Sequence, residues 1–301
     1  MKLLYKLLVG LIISISSSNA SAVIRIEAST QDLAAIAKSV GAQYVNSNSL
    51  TLGTRDPHYA VAKPSMIRRV HQADLILLVG ADLEIGWLPL LLKSARNSRV
   101  LPGNNGYLDL SDSVRLMDVA TGSVSREMGD VHEKGNPHYW LDPRNGSKIA
   151  QAIAKRLSLI EPAHAAEFKA NADAFSNTLN SKYAEWKKAL QGLKGKPVIT
   201  YHNSLLYLAA AFDFTIAAQV EPKPGIAPSA ASLASLLDII KKQNISLLLK
   251  EPYYEQRSSD YLQQHGGIKT VVIPQSVGAK EGIDNYFDLF DKIVMALTKE
   301  G

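Results

Sequence analysis

The run Val23-Ile24-Arg25-Ile26-Glu27-Ala28-Ser29-Thr30-Gln31-Asp32-Leu33-Ala34-Ala35-Ile36-Ala37-Lys38-Ser39-Val40-Gly41-Ala42-Gln43-Tyr44-Val45 carries the reading of the fold. Residues 23–28 alternate apolar and polar, the period of a half-buried strand. Ser29-Thr30-Gln31-Asp32 then supplies an N-cap signal, and Leu33, Ile36, Ala37 and Val40 follow at helical spacing. Gly41 closes that helix, and 43–45 begin a second short strand. Strand, helix and strand so close together form a βαβ unit, which predicts a parallel sheet.

The same alternation continues outward. A helix is expected over 64–72, a buried strand over 74–79 (Asp-Leu-Ile-Leu-Leu-Val) ending at Gly80, and a helix over 84–95. Between 119 and 135 the pattern gives way to a polar loop with Gly122, Gly129, Asp130, His132 and Gly135, and 145–159 resume a helix. From 161 to 190, Phe168, Ala172, Phe175, Leu179, Trp186 and Leu190 recur every three or four residues or multiples thereof. Glu161-Pro162 suits the start of this helix and Gly192 its end. It would be about 45 Å long. New strand-like runs begin directly after it, at 197–200, 215–220, 247–250 and 271–273, so it reads as a strut between two lobes. Helical patterns at 204–212, 229–243, 258–265 and 286–297 separate those runs. The expected fold is α/β, with two lobes, each a mostly parallel sheet flanked by helices, joined by one long rigid helix. The expected segments are a leader at 1–22, an N-terminal lobe at 23–158, the linking helix at 159–193 and a C-terminal lobe at 194–301.

The leader is inferred from Lys2 and Lys6, an apolar run over 7–15 and the small-residue site Ala20-Ser21-Ala22. That run is too short to anchor the chain in a bilayer. The formal charge of +5 falls to +3 without Lys2 and Lys6, and charges of both signs are interspersed, which is not a nucleic-acid footprint. There is no cysteine. This removes disulfides, a lipid-bearing thiol and thiolate metal ligands, and leaves nitrogen and oxygen donors.

Three stretches carry candidate chemistry: Asp56-Pro57-His58-Tyr59, Asn136-Pro137-His138-Tyr139-Trp140-Leu141-Asp142-Pro143 and Thr200-Tyr201-His202-Asn203-Ser204. Each sets a histidine in a polar turn where a strand would hand over to a loop. They are too far apart in sequence to share one helix or hairpin. They meet only if the fold brings separate loops together at the carboxyl edge of the sheets, where open α/β folds bind ligands. Imidazole is the commonest side-chain metal ligand. Glu251, at the exit of the 247–250 strand, is a further ligand candidate or the partner that orients one. Asp142 is expected to shape the turn with Pro143. His71, His164 and His265 read as exposed or capping residues, and His132 as a solvated loop residue or an auxiliary ligand.

With Gln72-Ala73-Asp74-Leu75, Gly80-Ala81-Asp82-Leu83-Glu84, Pro224-Gly225-Ile226-Ala227-Pro228-Ser229 and Lys250-Glu251-Pro252-Tyr253, these stretches run in order along the chain. Together they resemble the zinc- and manganese-specific solute receptors of ABC transporters. The resemblance implies a monomeric periplasmic protein with one metal in the interlobe cleft, held by His58 and His138 from the first lobe and His202 from the second. It also implies an inner-membrane ABC permease as partner. Many such receptors carry an aspartate ligand after the last strand; here Pro274-Gln275-Ser276-Val277-Gly278 has no carboxylate. The fourth position is therefore open to Glu251, Gln275 or water. The His-rich loop of many zinc-specific members is reduced to Asp130-Val131-His132-Glu133-Lys134-Gly135.

Three imidazoles with at most one oxygen donor suit Zn2+ as the transported ligand better than Mn2+. The expected function is capture of that cation and its delivery to the permease, not catalysis. The alternatives are a zinc-dependent hydrolase, since three histidines with an open position also describe a catalytic centre, and a metal-stabilised adhesion protein.

Overall fold

In the computed structural model, which describes residues 23–120, 132–221, 223 and 225–300, the first βαβ unit forms as its pattern dictates. The expected leader at 1–22, most of the glycine-containing loop (121–131) and Pro224 lie outside the described residues. Strand β1 (Ile24–Ala28) pairs in parallel with β2 (Val45–Ser49) on one side and β3 (Leu75–Leu78) on the other. Helix α1 (Gln31–Gly41), capped by Thr30, buries Leu33, Ile36, Ala37 and Val40. A three-residue strand β4 (Tyr107–Asp109), too short to show a period, completes the sheet in the order β2-β1-β3-β4. Helices α2 (Pro64–Gln72) and α3 (Leu88–Ala95) cover its outer face. The expected helix over 84–95 starts only at Leu88, because the Glu84 carboxylate turns back to accept from Val79 N (2.8 Å) and Gly80 N (3.1 Å).

Helix α4 (Pro143–Ile160) leads into α5 (Ala165–Ala189). The long helix expected from 161 forms, with its first turn in 3-10 geometry. Pro162–His164 forms that 3-10 turn, since proline blocks continuation of α4, and the 25 residues of α5 span about 37 Å. The second half repeats the first architecturally: β5 (Pro197–Thr200), α6 (Leu206–Phe212), β6 (Thr215–Gln219), α7 (Ala230–Gln243), β7 (Leu247–Lys250), α8 (Arg257–Gly266), β8 (Lys269–Val272) and α9 (Tyr286–Glu300). All its strand pairs are parallel, in the order β6-β5-β7-β8. The last strand begins at Lys269, two residues before the run its apolar pattern marked.

The strut does not join the two sheets alone. One apolar cluster runs from Ile26 and Leu33 through Trp140, Ile153, Phe168 and Trp186 to Leu249 and Phe290, filling the space between the sheets' inner faces. Separate clusters lie under α2 and α3 and under α7 and α8. Polar contacts close the join: Asp32 Oδ1 accepts from Val277 N (2.9 Å), and Trp140 Nε1 donates to Gln275 O (2.9 Å). Gly53 is required here, since a Cβ on it would lie 2.0 Å from Val277 O. Among the described residues, no helix is long and apolar enough to cross a membrane.

Candidate metal site

His58 and His138 are set by one local device used twice. In Asp56-Pro57-His58, the Asp56 Oδ1 accepts from His58 N (2.9 Å) and from His58 Nδ1 (2.7 Å). In Asn136-Pro137-His138, the Asn136 Oδ1 accepts from His138 N (3.0 Å) and His138 Nδ1 (3.0 Å). The intervening proline fixes φ and has no N–H to compete for the oxygen. One short polar side chain therefore orients both backbone and ring. His202 follows β5 by two residues, and its Nδ1 donates to Glu221 Oε2 (2.7 Å), just beyond β6. Glu221 also accepts from Gly225 N (3.0 Å).

In all three rings Nδ1 is thus engaged, which leaves Nε2 as the nitrogen that can meet a cation. Ligand atoms of His58, His138 and His202 all lie within 4.8 Å of one another. Ring centroids are separated by 5.1 Å (His58–His138), 5.8 Å (His58–His202) and 5.6 Å (His138–His202). His138 and His202 are buried, and His58, partly exposed as a residue, has a buried side chain. The remote loops therefore converge, at the carboxyl edges of both sheets.

The electrostatics differ from ring to ring. Burial, with the neighbouring histidines, pulls His138 well below the ordinary imidazole value. For His202 burial also pulls down, but the hydrogen bond and charge of Glu221 outweigh it and the net shift is upward. Asp56 is pushed up by burial yet ends below the usual carboxylate range, because His58 bonds to it and attracts it.

Glu251 is not brought into the group. It is buried at the exit of β7, where its Oε1 accepts from Ser204 Oγ and its Oε2 has no hydrogen-bond partner. Burial pushes it up to about 7, against the pull of Ser204 and His202. Since Ser204 follows His202 by two residues, Glu251 braces the turn that presents that ring. The Gln275 side-chain oxygen accepts from Tyr253 OH and is engaged there. Asp142 caps α4 and pairs with Arg144 (2.7 Å), as its turn position predicts.

His132 is not a solvated loop residue. Its Nε2 lies 3.1 Å from His58 Nε2, and burial with the charges of His58 and His202 pulls its pKa down to about 3. The orienting residues Asp56, Asn136 and Glu221 were not singled out from the sequence. The repeated Asp/Asn-Pro-His pattern marks the first two. Nothing local marks Glu221, which reaches His202 only because β6 lies beside β5.

Two parallel α/β sheets, with loops from both carboxyl edges closing on one cluster of imidazole donors, make a two-sheet α/β protein with a candidate metal site between the sheets. Residues 26–300 match the family described as ZnuA, zinc-uptake complex component A, periplasmic, and the chain belongs to that family. It is 31% identical over 161 residues to the high-affinity zinc uptake system protein ZnuA of Brucella abortus. That match takes in 53% of this chain and 48% of the relative, so the chain spans about half the length of that curated protein. The metal ABC transporter substrate-binding lipoprotein SloC of Streptococcus mutans is 26% identical over 304 residues, covering 97% of this chain and 96% of SloC. A crystal structure of a ZnuA, 22% identical, has the same fold, with a TM-score of 0.76 over 92% of this chain and 97% of the other.

If Asp56 and Glu221 orient their rings and raise their basicity, Asp56→Ala and Glu221→Ala each lower zinc affinity by roughly 10- to 100-fold. Competition against a chromogenic chelator measures this. Affinities within twofold of the unaltered protein would show that the two carboxylates play no such part.

Proposed function

We propose that the protein captures a divalent cation, Zn2+ in preference to Mn2+, in the periplasm and delivers it as a monomer to an inner-membrane ABC permease. The observation that carries this reading is the convergence of three imidazole donors from loops remote in sequence, each backed by its own hydrogen-bond acceptor. His58 and His138 come from the lobe at 23–158 and His202 from the lobe at 194–301, so the cation bridges the two. An all-nitrogen set favours zinc, whereas manganese prefers oxygen donors. The relatives' names, zinc uptake and metal ABC transporter proteins, accord with this role. The hydrolase alternative draws no support from the family match.

Titration calorimetry of the chelator-stripped protein tests the reading: one Zn2+ per chain is expected, and Mn2+ should displace it poorly. Tighter binding of Mn2+ would reverse the metal assignment, and no binding of either would remove the function.

The same titration repeated across pH carries a further prediction. Protons compete with zinc for imidazole nitrogen. Because Glu221 raises His202, that ring takes up its proton at a higher pH than a free imidazole, near 6.5. Zinc affinity is therefore full at alkaline pH and begins to fall above pH 6.5 on acidification. Glu221→Gln, which removes the charge, shifts this loss to lower pH. A profile identical in the two proteins would exclude His202 as its origin.

A further inference from the structure

We infer that His132 supplies the fourth zinc ligand, completing an all-imidazole site with His58, His138 and His202. This rests on the zinc-binding reading above. His132 stands at one corner: its Nε2 is 3.1 Å from His58 Nε2, while it lies outside the group whose atoms are mutually within 4.8 Å. Two nitrogens at that distance share one proton between them. The carboxylate of Asp56 engages the other nitrogen of His58, so the shared proton occupies the position where His58 would meet a cation. A tetrahedral zinc with bonds of about 2.0 Å has nitrogen–nitrogen edges of roughly 3.3 Å. The His58–His132 spacing is close to one such edge. When the cation takes the proton's place, the neutral His132 ring moves its single proton from Nε2 to Nδ1, and both Nε2 atoms become ligands with no change in protein charge.

The other protein candidates are less well placed, although Glu251 Oε2 is unpartnered. Glu251 is held by Ser204 outside the donor group, and the Gln275 oxygen accepts from Tyr253. Charge balance needs no further anion, since Asp56 and Glu221 already back two of the rings. The stretch after His132 is a turn that fixes where the ring stands: Gly135 N donates to His132 O (3.1 Å). Asn136 is fixed through its N–H to Met117 O (2.8 Å), and Gly135 just before it has φ 116°, a conformation that side-chain-bearing residues rarely adopt.

His132→Ala, studied in the full mature protein with Zn2+ and with Co2+ as a spectroscopic substitute, tests the assignment. The variant should bind zinc on the order of 10- to 100-fold more weakly, with millimolar imidazole restoring part of the loss. Its Co2+ form should gain an azide-dependent absorption change that the unaltered protein lacks, because a coordination position has opened. Unchanged zinc affinity, or the same azide response in both proteins, overturns the inference in favour of water at that position. His138→Ala run alongside separates the two levels. If it loses zinc while His132→Ala does not, only the fourth-ligand assignment falls. If the unaltered protein binds no zinc, the underlying reading falls with it.

Discussion

His138→Ala lowers zinc affinity by roughly two orders of magnitude or more. Complete zinc sites in small domains are worth about 10–16 kcal/mol, so one of four ligands carries about 3 kcal/mol, and every 1.4 kcal/mol is tenfold. His138 is the ligand with the most direct expected effect. It is buried, its pKa lies well below the ordinary value, and it needs no proton removed before it binds. His58→Ala and His202→Ala should fall in the same range, with the His202 effect shrinking at lower pH, where that ring is already protonated. His265→Ala, an exposed histidine on α8 that contacts Tyr261, is the control and should bind zinc normally. Calorimetry, or chelator competition where binding is tight, measures all four. Retention of near-stoichiometric affinity by His58→Ala, His138→Ala and His202→Ala alike would remove the metal site.

Trp140→Ala destabilises the protein by about 3–5 kcal/mol, the usual loss for a large aromatic side chain removed from a packed core. The indole is buried between the lobes, with its N–H bonded to Gln275 O at 2.9 Å. Tyr286 on α9 donates to its backbone oxygen, and its ring lies 5.3 Å from that of His138. The substitution thus opens a cavity where the two sheets' shared core meets the floor of the site. Trp140→Phe keeps most of the ring and loses one hydrogen bond, for about 1 kcal/mol. Urea unfolding of the metal-free proteins separates the two, and a Trp140→Ala protein within 1 kcal/mol of the unaltered one would contradict the shared core.

That shared core changes what the linking helix can do. A helix alone would let the lobes hinge about its ends. Here α5 is sheathed by the same apolar cluster that holds α1, α4 and α9, and Asp32 and Trp140 bond across to the 275–277 stretch. Large hinge motion would expose that core to water. Metal entry is therefore expected to move the loops that carry the histidines more than whole lobes.

The sequence alone was informative wherever a structure is made by neighbours along the chain. Apolar periodicity set the βαβ alternation and most element positions, and proline-bounded turns marked two of the three histidines. Where a signal was shorter than a period, as in Tyr107–Asp109, or a side chain turned back on its own strand, as with Glu84, the local reading failed. Sequence could also place His58 and His202 beyond the ends of sheet strands, because a parallel sheet sends all its carboxyl ends one way. Only the tertiary structure decided that the three rings converge, that Glu221 rather than Glu251 backs His202, and that His132 touches His58. Those contacts depend on which strands lie side by side and on how two sheets dock across a common core. Such distances are fixed by the packing of remote surfaces, and no local pattern of residues encodes them.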